Sequence, residues 1–268
     1  NRRYGIVASG GSAPPQRIDN CEIWDCQKSG ALFLDGGSGH LLKNNNIHNN
    51  LFSLGGDYSM YINAPTTLDG NIVSNNTNVS YGIFFNNSSD GSRLLSNTIS
   101  GNSGRGIYFS GSVGSTLTGN TVSGNTNVGV TFESSGPATL SANTISANGG
   151  RGLYFGSGGT IVITSNTITG NNSGGIQFFR SGGSTLTSNT ITGNTANTGG
   201  AIYFQNSGSC TARDNEISGN RTTSLNQTGG IYIESSANVN FAGDTVNGIY
   251  NRIHDNDGCD MRNTHPFA

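Results

Sequence analysis

Apolar and polar residues in this chain alternate in short bursts. In Gly106–Ser110 the order is Gly-Ile-Tyr-Phe-Ser, with Ile107 and Phe109 flanking Tyr108. In the nearby run Asn97-Thr98-Ile99-Ser100 the same alternation returns. A period of two predicts strands, and no stretch of the unit has a helical period. Gly and Asn separate one burst from the next. The bursts recur as SNTISGN (Ser96–Asn102), GNTVSGN, ANTISAN and two copies of SNTITGN, with the leading Asn at 97, 120, 143, 166 and 189, a step of 23. Between them stand GIYF at Gly106, GVTF at Gly129, GLYF at Gly152 and GIQF at Gly175, each Gly 14 residues before the next leading Asn. A fixed period of this size is the mark of a solenoid.

One unit reads as three strands, Gly106–Ser110, Ser115–Thr118 and Thr121–Ser123. It cannot bury its own apolar side, so units stack in parallel, each pairing with the next. The crossover rule makes the coil right-handed. A left-handed hexapeptide helix and a leucine-rich repeat are excluded, because neither an apolar residue every six nor L-x-x-L-x-L is present. The expected fold is an all-β, right-handed parallel β-helix of about ten coils, with three short strands per coil. Further leading positions are Cys21, Asn45, Asn71, Asn215 and Asp244, with Asn251–Asn256 a second match to the motif near the end. Extra residues are expected in turns at Gly55–Tyr58, Asn75–Ser80, Thr195–Thr198 and Arg221–Thr228. Four inward columns follow, headed by Leu32, Leu34, Ile18 and Ile47, and the Asn columns should form amide ladders as in stacked cross-strand arrays. Residues 1–262 form the β-helix domain and 263–268 a C-terminal tail. The chain opens already inside a coil at Tyr4–Val7. Such an end implies either a fragment or a contact with another subunit that would build fibres.

The N-T-I-S-G-N phrase followed by G-I-Y-F resembles the pectate-lyase-like right-handed β-helix superfamily, in particular its NosD-like and adhesin-like repeat members. The likeness spans nearly the whole chain. It implies the fold rather than one activity, since lyases, hydrolases, epimerases and binding proteins share such repeats.

Composition narrows the setting. The net charge is -2 with only 10% charged residues, so no basic patch speaks for nucleic acid. No apolar run reaches the ~20 residues of a membrane span. The cysteines Cys21, Cys26, Cys210 and Cys259 lack zinc spacing, and Cys21 and Cys26 fall on the two Asn positions of an early coil. A Cys21–Cys26 disulfide would suit an extracellular or cell-surface protein; four reduced thiols are the other reading.

Three surfaces are candidates for function. The outward position of the GIYF strand holds Phe33, Tyr61, Phe84, Tyr108, Thr131, Tyr154, Gln177, Tyr203 and Tyr232. Such a run of rings either binds a polysaccharide or a neighbouring subunit, or only satisfies strand preference. It is broken at Thr131 and Gln177, beside Glu133, Arg105, Arg151 and Arg180, where a polar or catalytic site would fall. The arginines suit carboxylates of an acidic glycan. Glycosidase chemistry needs two facing carboxylates, and Glu133 has no acidic neighbour in the pattern. The second surface is a hydroxyl array, Thr98, Thr121, Thr144, Thr167 and Thr190 beside Ser100, Ser123, Ser146, Thr169 and Thr192, similar to the ice-facing side of β-solenoid antifreeze proteins. The third is Asp255, Asp257 and Asp260 around Gly258, similar to the start of a calcium loop without its closing Glu. No other cofactor is implied. His40, His48, His254 and His265 have no metal-ligand spacing and read as surface histidines.

The reading favoured by these features is a non-catalytic secreted or cell-surface protein. Its aromatic face would contact polysaccharide or another subunit. A polysaccharide lyase or glycoside hydrolase acting near Glu133, and an ice-binding protein, are the alternatives.

Overall fold

A computed structural model describes residues 4–10, 14–27, 30–225, 227–235, 238–241 and 250–264. Among these the chain is all strand and turn, wound as a right-handed parallel solenoid. Each turn of chain visits three sheets in order. Sheet A holds eleven strands, from Tyr4–Ser9 to Met261–Asn263, and sheets B and C hold ten each. Every strand pairs in parallel with its counterpart one coil away. Ile107 opposes Val130, Leu117 opposes Leu140, and Ile99 opposes Val122. The expected strands appear at Arg105–Ser110, Ser115–Thr118 and Thr121–Ser123.

The four inward columns form one continuous core. Its spine is a stack of phenylalanines, Phe85, Phe109, Phe132, Phe155, Phe178 and Phe204. Successive ring centroids are 4.5, 4.5, 5.4, 5.2 and 4.9 Å apart. The rings lie within 14° of parallel, an offset-stack geometry favoured by aromatic pairs.

The two Asn columns are buried ladders. Asn97 donates from Nδ2 to Asn120 Oδ1 and to the Leu68 carbonyl, both at 2.9 Å. Its backbone N–H donates to the same Asn120 oxygen at 2.9 Å. The second ladder repeats this through Asn102, Asn125, Asn148 and Asn171. The residue before each ladder Asn turns the corner in the left-handed region, even where it is Ala142 or Ala147 (φ 53°). Gly106 is small because a Cβ there would meet Gly129 O at 2.6 Å and Asn125 Nδ2 at 2.9 Å.

Several sequence expectations are corrected. The extra residues at Gly55–Tyr58 and within Asn75–Ser80 are not simple turns. They lie largely in the long paired strands Leu51–Asn63 and Thr77–Phe85, whose register shifts between Thr77 and Val79. Those at Thr195 and Arg221 add a two-stranded sheet, Thr195–Ala196 with Arg221–Thr222. After Asn215 the ladder passes to Asn251, 36 residues on, because Asn251 Oδ1 accepts from Asn215 N and Nδ2. Asp244, and the tail His265–Ala268, lie outside the described residues. The thiols of Cys21, Cys26, Cys210 and Cys259 are all free. Cys21 and Cys26 do stand on the two ladder positions, their N–H groups bonded to Asn45 and Asn50. Ladder side chains run along the axis towards the next coil and not towards each other, so this pair does not form a bridge. His40 is buried, accepting from Gln16 N and contacting the Gly36 carbonyl at 2.8 Å, rather than a surface residue.

Replacing Asn143 by Ala leaves the buried Asn120 N–H and Nδ2 without their acceptor and should cost about 3 kcal/mol. A lowered urea midpoint will show this, with the neighbouring exposed Thr144→Ala within about 0.5 kcal/mol of wild type. Burial pushes the Cys210 thiol up to about 11. It should therefore resist alkylation at pH 8 in the native state, while the exposed Cys259 is modified; mass spectrometry after iodoacetamide distinguishes them.

Candidate functional site

Sheet A presents its outward side chains as three parallel columns. The middle one is the ring column, confirmed in register from Phe33–Tyr61 to Tyr203–Tyr232. Its rings are half-buried against one another. Phe33 stacks on Tyr61 at 4.7 Å, and Phe84 meets Tyr61 and Tyr108, each at 5.5 Å. Beside them, on the N-terminal side, stand Tyr58 and Tyr81, which the sequence reading missed. Tyr58 lies 4.9 Å from Tyr61, and Tyr81 lies 4.7 Å from Tyr108. The signal was available: Tyr81 and Arg105 hold the same place before Gly-Ile-x-Phe.

The face therefore has two halves. From Phe33 to Tyr108 it is a continuous slab of rings, closed by Arg105, whose guanidinium carbon lies 5.7 Å from the Tyr81 ring and 5.2 Å from the Tyr108 ring. From Tyr108 to Tyr203 the rings come at every second coil, Tyr108, Tyr154 and Tyr203, with Thr131 and Gln177 between them, and Tyr232 follows Tyr203 on the next coil. Thr131 and Gln177 are sunk to 2% and 7% exposure between taller neighbours. Two notches result, each walled by a pair of tyrosines.

Of the expected site residues, Glu133 and Arg105 flank the first notch. Glu133 follows Thr131 on the same strand. Its carboxylate lies over Gly156 beside Tyr154: a Cβ on Gly156 would be 2.7 Å from Oε2. Arg105 closes the other side. The Arg105 Nε and the Thr131 Oγ1 are both buried and have no hydrogen-bond partner. Arg151 is mostly desolvated, which lowers its pKa, with the Tyr154 and Tyr203 rings next in influence; it remains a cation at neutral pH. Among the described residues no carboxylate pairs with Arg105, Arg151 or Glu133. Arg180 is drawn away to the Phe179 ring, 5.0 Å off. The phenols of Tyr108 and Tyr154 are raised by burial first and then by Tyr81 and Glu133 respectively. Tyr203 is raised furthest, by burial and by donating to Glu234.

The other candidates are separate. The hydroxyl array lies on sheet C, in register across five coils and partly exposed. Asp255 and Asp260 do not converge. Asp255 bonds His254 Nδ1 at 2.8 Å, and Asp260 Oδ1 accepts from Asn256 N and Nδ2, closing the second ladder. Among the described residues no group of three His, Cys, Asp or Glu gathers to hold a metal. His254 and Arg252 both bond Glu216, whose pKa is lowered chiefly by these contacts against the opposing effect of desolvation.

The model of the right-handed β-helix region matches residues 4–160 and 105–265, and the chain belongs to that family. No curated protein sequence matches it. The periplasmic alginate epimerase AlgG superposes with a TM-score of 0.56 at 14% identity, over 91% of this chain and 74% of that one. The AlgE4 A-module, a mannuronan C-5 epimerase of Azotobacter vinelandii, gives 0.53 at 12%, over 94% of this chain and 65% of that one. At these identities the likeness is one of fold, and the chain spans less than two thirds of the AlgE4 A-module. Among the described residues no helix is long and apolar enough to cross a membrane.

The Tyr203 phenol will ionise well above the ordinary 10.0. Ultraviolet titration of wild type against Tyr203→Phe isolates it. Glu234→Gln removes the carboxylate that opposes tyrosinate formation and should bring that titration down towards the ordinary value.

Proposed function

We propose that the chain is a non-catalytic polysaccharide-binding β-helix, acting outside the cell or at its surface through the outward face of sheet A. The observation that carries this is the ring column itself. Seven aromatic side chains recur at one position of successive coils, half-buried and in register. A row of half-buried rings on a parallel sheet offers a sugar chain an apolar surface repeated at the coil spacing, and an apolar patch of this extent is not needed for folding.

Binding is favoured over hydrolysis by the placing of carboxylates. In the column of Glu133 the nearest others are Asp35 and Glu234, each four coils away. That is about 19 Å along the axis, well beyond the separation either glycosidase geometry uses. A second copy of the chain fits the face less well than a glycan does. The ring column is interrupted at Thr131 and Gln177 and flanked by Arg105 and Arg151, whereas the centre of a protein interface is depleted in charge. The epimerases of similar fold are named for alginate and mannuronan; at their identity this transfers no residue role to the present chain.

Tyr108→Ala and Tyr154→Ala should each weaken binding about tenfold, or about 1.4 kcal/mol, on a glycan array followed by titration calorimetry. Thr121→Ala, on sheet C, should leave it unchanged. Unaltered affinity in both tyrosine variants would remove the reading. Loss of affinity in Thr121→Ala would move the site to sheet C.

A further inference from the structure

The comb of tyrosines has a period, and the arginines share it. Tyr108, Tyr154 and Tyr203 stand two coils apart, about 9.6 Å at the usual strand spacing. Arg105 and Arg151 open two otherwise similar segments, Arg-Gly-Ile-Tyr-Phe and Arg-Gly-Leu-Tyr-Phe, also two coils apart. In the intervening coils the same positions hold Val128 with Thr131 and Gly174 with Gln177. Arg105 lies over the Tyr81 and Tyr108 rings, and Arg151 precedes Tyr154 by three residues, as Arg105 precedes Tyr108. The face therefore repeats as one cation, one ring and one notch per two coils.

Resting on the polysaccharide reading above, we propose that this half of sheet A binds, along the axis of the solenoid, an extended glycan with one anionic group per disaccharide. An extended chain of equatorially linked pyranoses advances by about one coil rise per sugar, so alternate sugars meet alternate kinds of coil. One sugar stacks on a tyrosine. The next lies over Thr131 or Gln177 and turns its anionic substituent to the arginine of that notch. At the first notch the unpartnered Arg105 Nε is a donor and the unpartnered Thr131 Oγ1, 2% exposed, is a donor and acceptor, so both gain a bond that folding leaves unmade. A charge on every sugar fits poorly. It would set carboxylates against the electron-rich faces of Tyr154 and Tyr203 and bring one close to Glu133, with no second cation to meet it.

The test uses the purified chain and oligosaccharides of equal length, measured by calorimetry at low and physiological salt. The probes are a hyaluronan fragment, with one uronate per disaccharide, an equatorially linked β-1,4-mannuronate oligomer, with one per sugar, and a neutral cello-oligosaccharide. The hyaluronan fragment should bind at least tenfold more tightly than either of the others. Arg151→Gln should reduce it to the affinity of the neutral chain while leaving the neutral chain unaffected. Equal or tighter binding of the mannuronate oligomer, or of the neutral chain, overturns the disaccharide period and leaves the sugar-binding face standing. Binding of none of the three overturns both. A fall in neutral-chain affinity in Arg151→Gln would assign that arginine to shape rather than charge, and would also overturn the proposal.

Discussion

A buried carboxamide has four hydrogen bonds to satisfy, two through its oxygen and two through its nitrogen, and the fold depends on satisfying all of them at every corner. Asn97 shows the solution. Its oxygen accepts from Asn71 N and Nδ2, and its nitrogen donates to Asn120 Oδ1 and the Leu68 carbonyl. None of these partners lies in its own coil. A single turn of chain thus cannot form the motif, and each coil completes the one before it. This is nearest-neighbour coupling expressed as hydrogen bonds rather than only as buried area.

The ladders fix corners and leave the lengths of chain between corners free. Steps of 23, 24, 26 and 36 residues all deliver an Asn to the same rung. The surplus is absorbed in longer strands, as at Leu51–Asn63, or in an added strand pair, as at Arg221–Thr222. The corner demands a left-handed residue immediately before the Asn, and the chain tolerates Ser96, Ala142 and Ala147 there despite the backbone cost of about 1 kcal/mol.

This division explains what could be read before the structure was seen. Columns such as Ile107–Val130–Leu153 and the phenylalanine stack were legible because a constant period turns sequence position directly into position in space. The last coil was not, because Asn251 is reached only through a long excursion, and Asp244 sat closer to the expected step. The second ring column, Tyr58 and Tyr81, escaped notice because the strands there begin earlier than in the regular coils. The spacing also set Glu133, Arg105 and Arg151 beside the breaks in the ring column, with Arg180, which turns instead to Phe179. Their lack of ion-pair partners, and the burial of Thr131, depend on side-chain packing that no spacing encodes.

The alternation on the outer face is not a by-product of the core. Across four successive coils the inward pairs are Ile107 with Phe109, Val130 with Phe132, Leu153 with Phe155 and Ile176 with Phe178, nearly uniform and all fully buried. The residue lying between the members of each pair is Tyr, Thr, Tyr and Gln. Packing inside the solenoid treats these four coils alike, so it gives no reason for the outward position to change at every step. Strand preference gives none either, since Tyr and Thr both suit strands. Gly156 points the same way: it leaves open the space that the Glu133 carboxylate occupies beside Tyr154, where any Cβ would intrude. The variation of this face is thus independent of the core beneath it, and its buried Arg105 Nε and Thr131 Oγ1 have no partners within the chain.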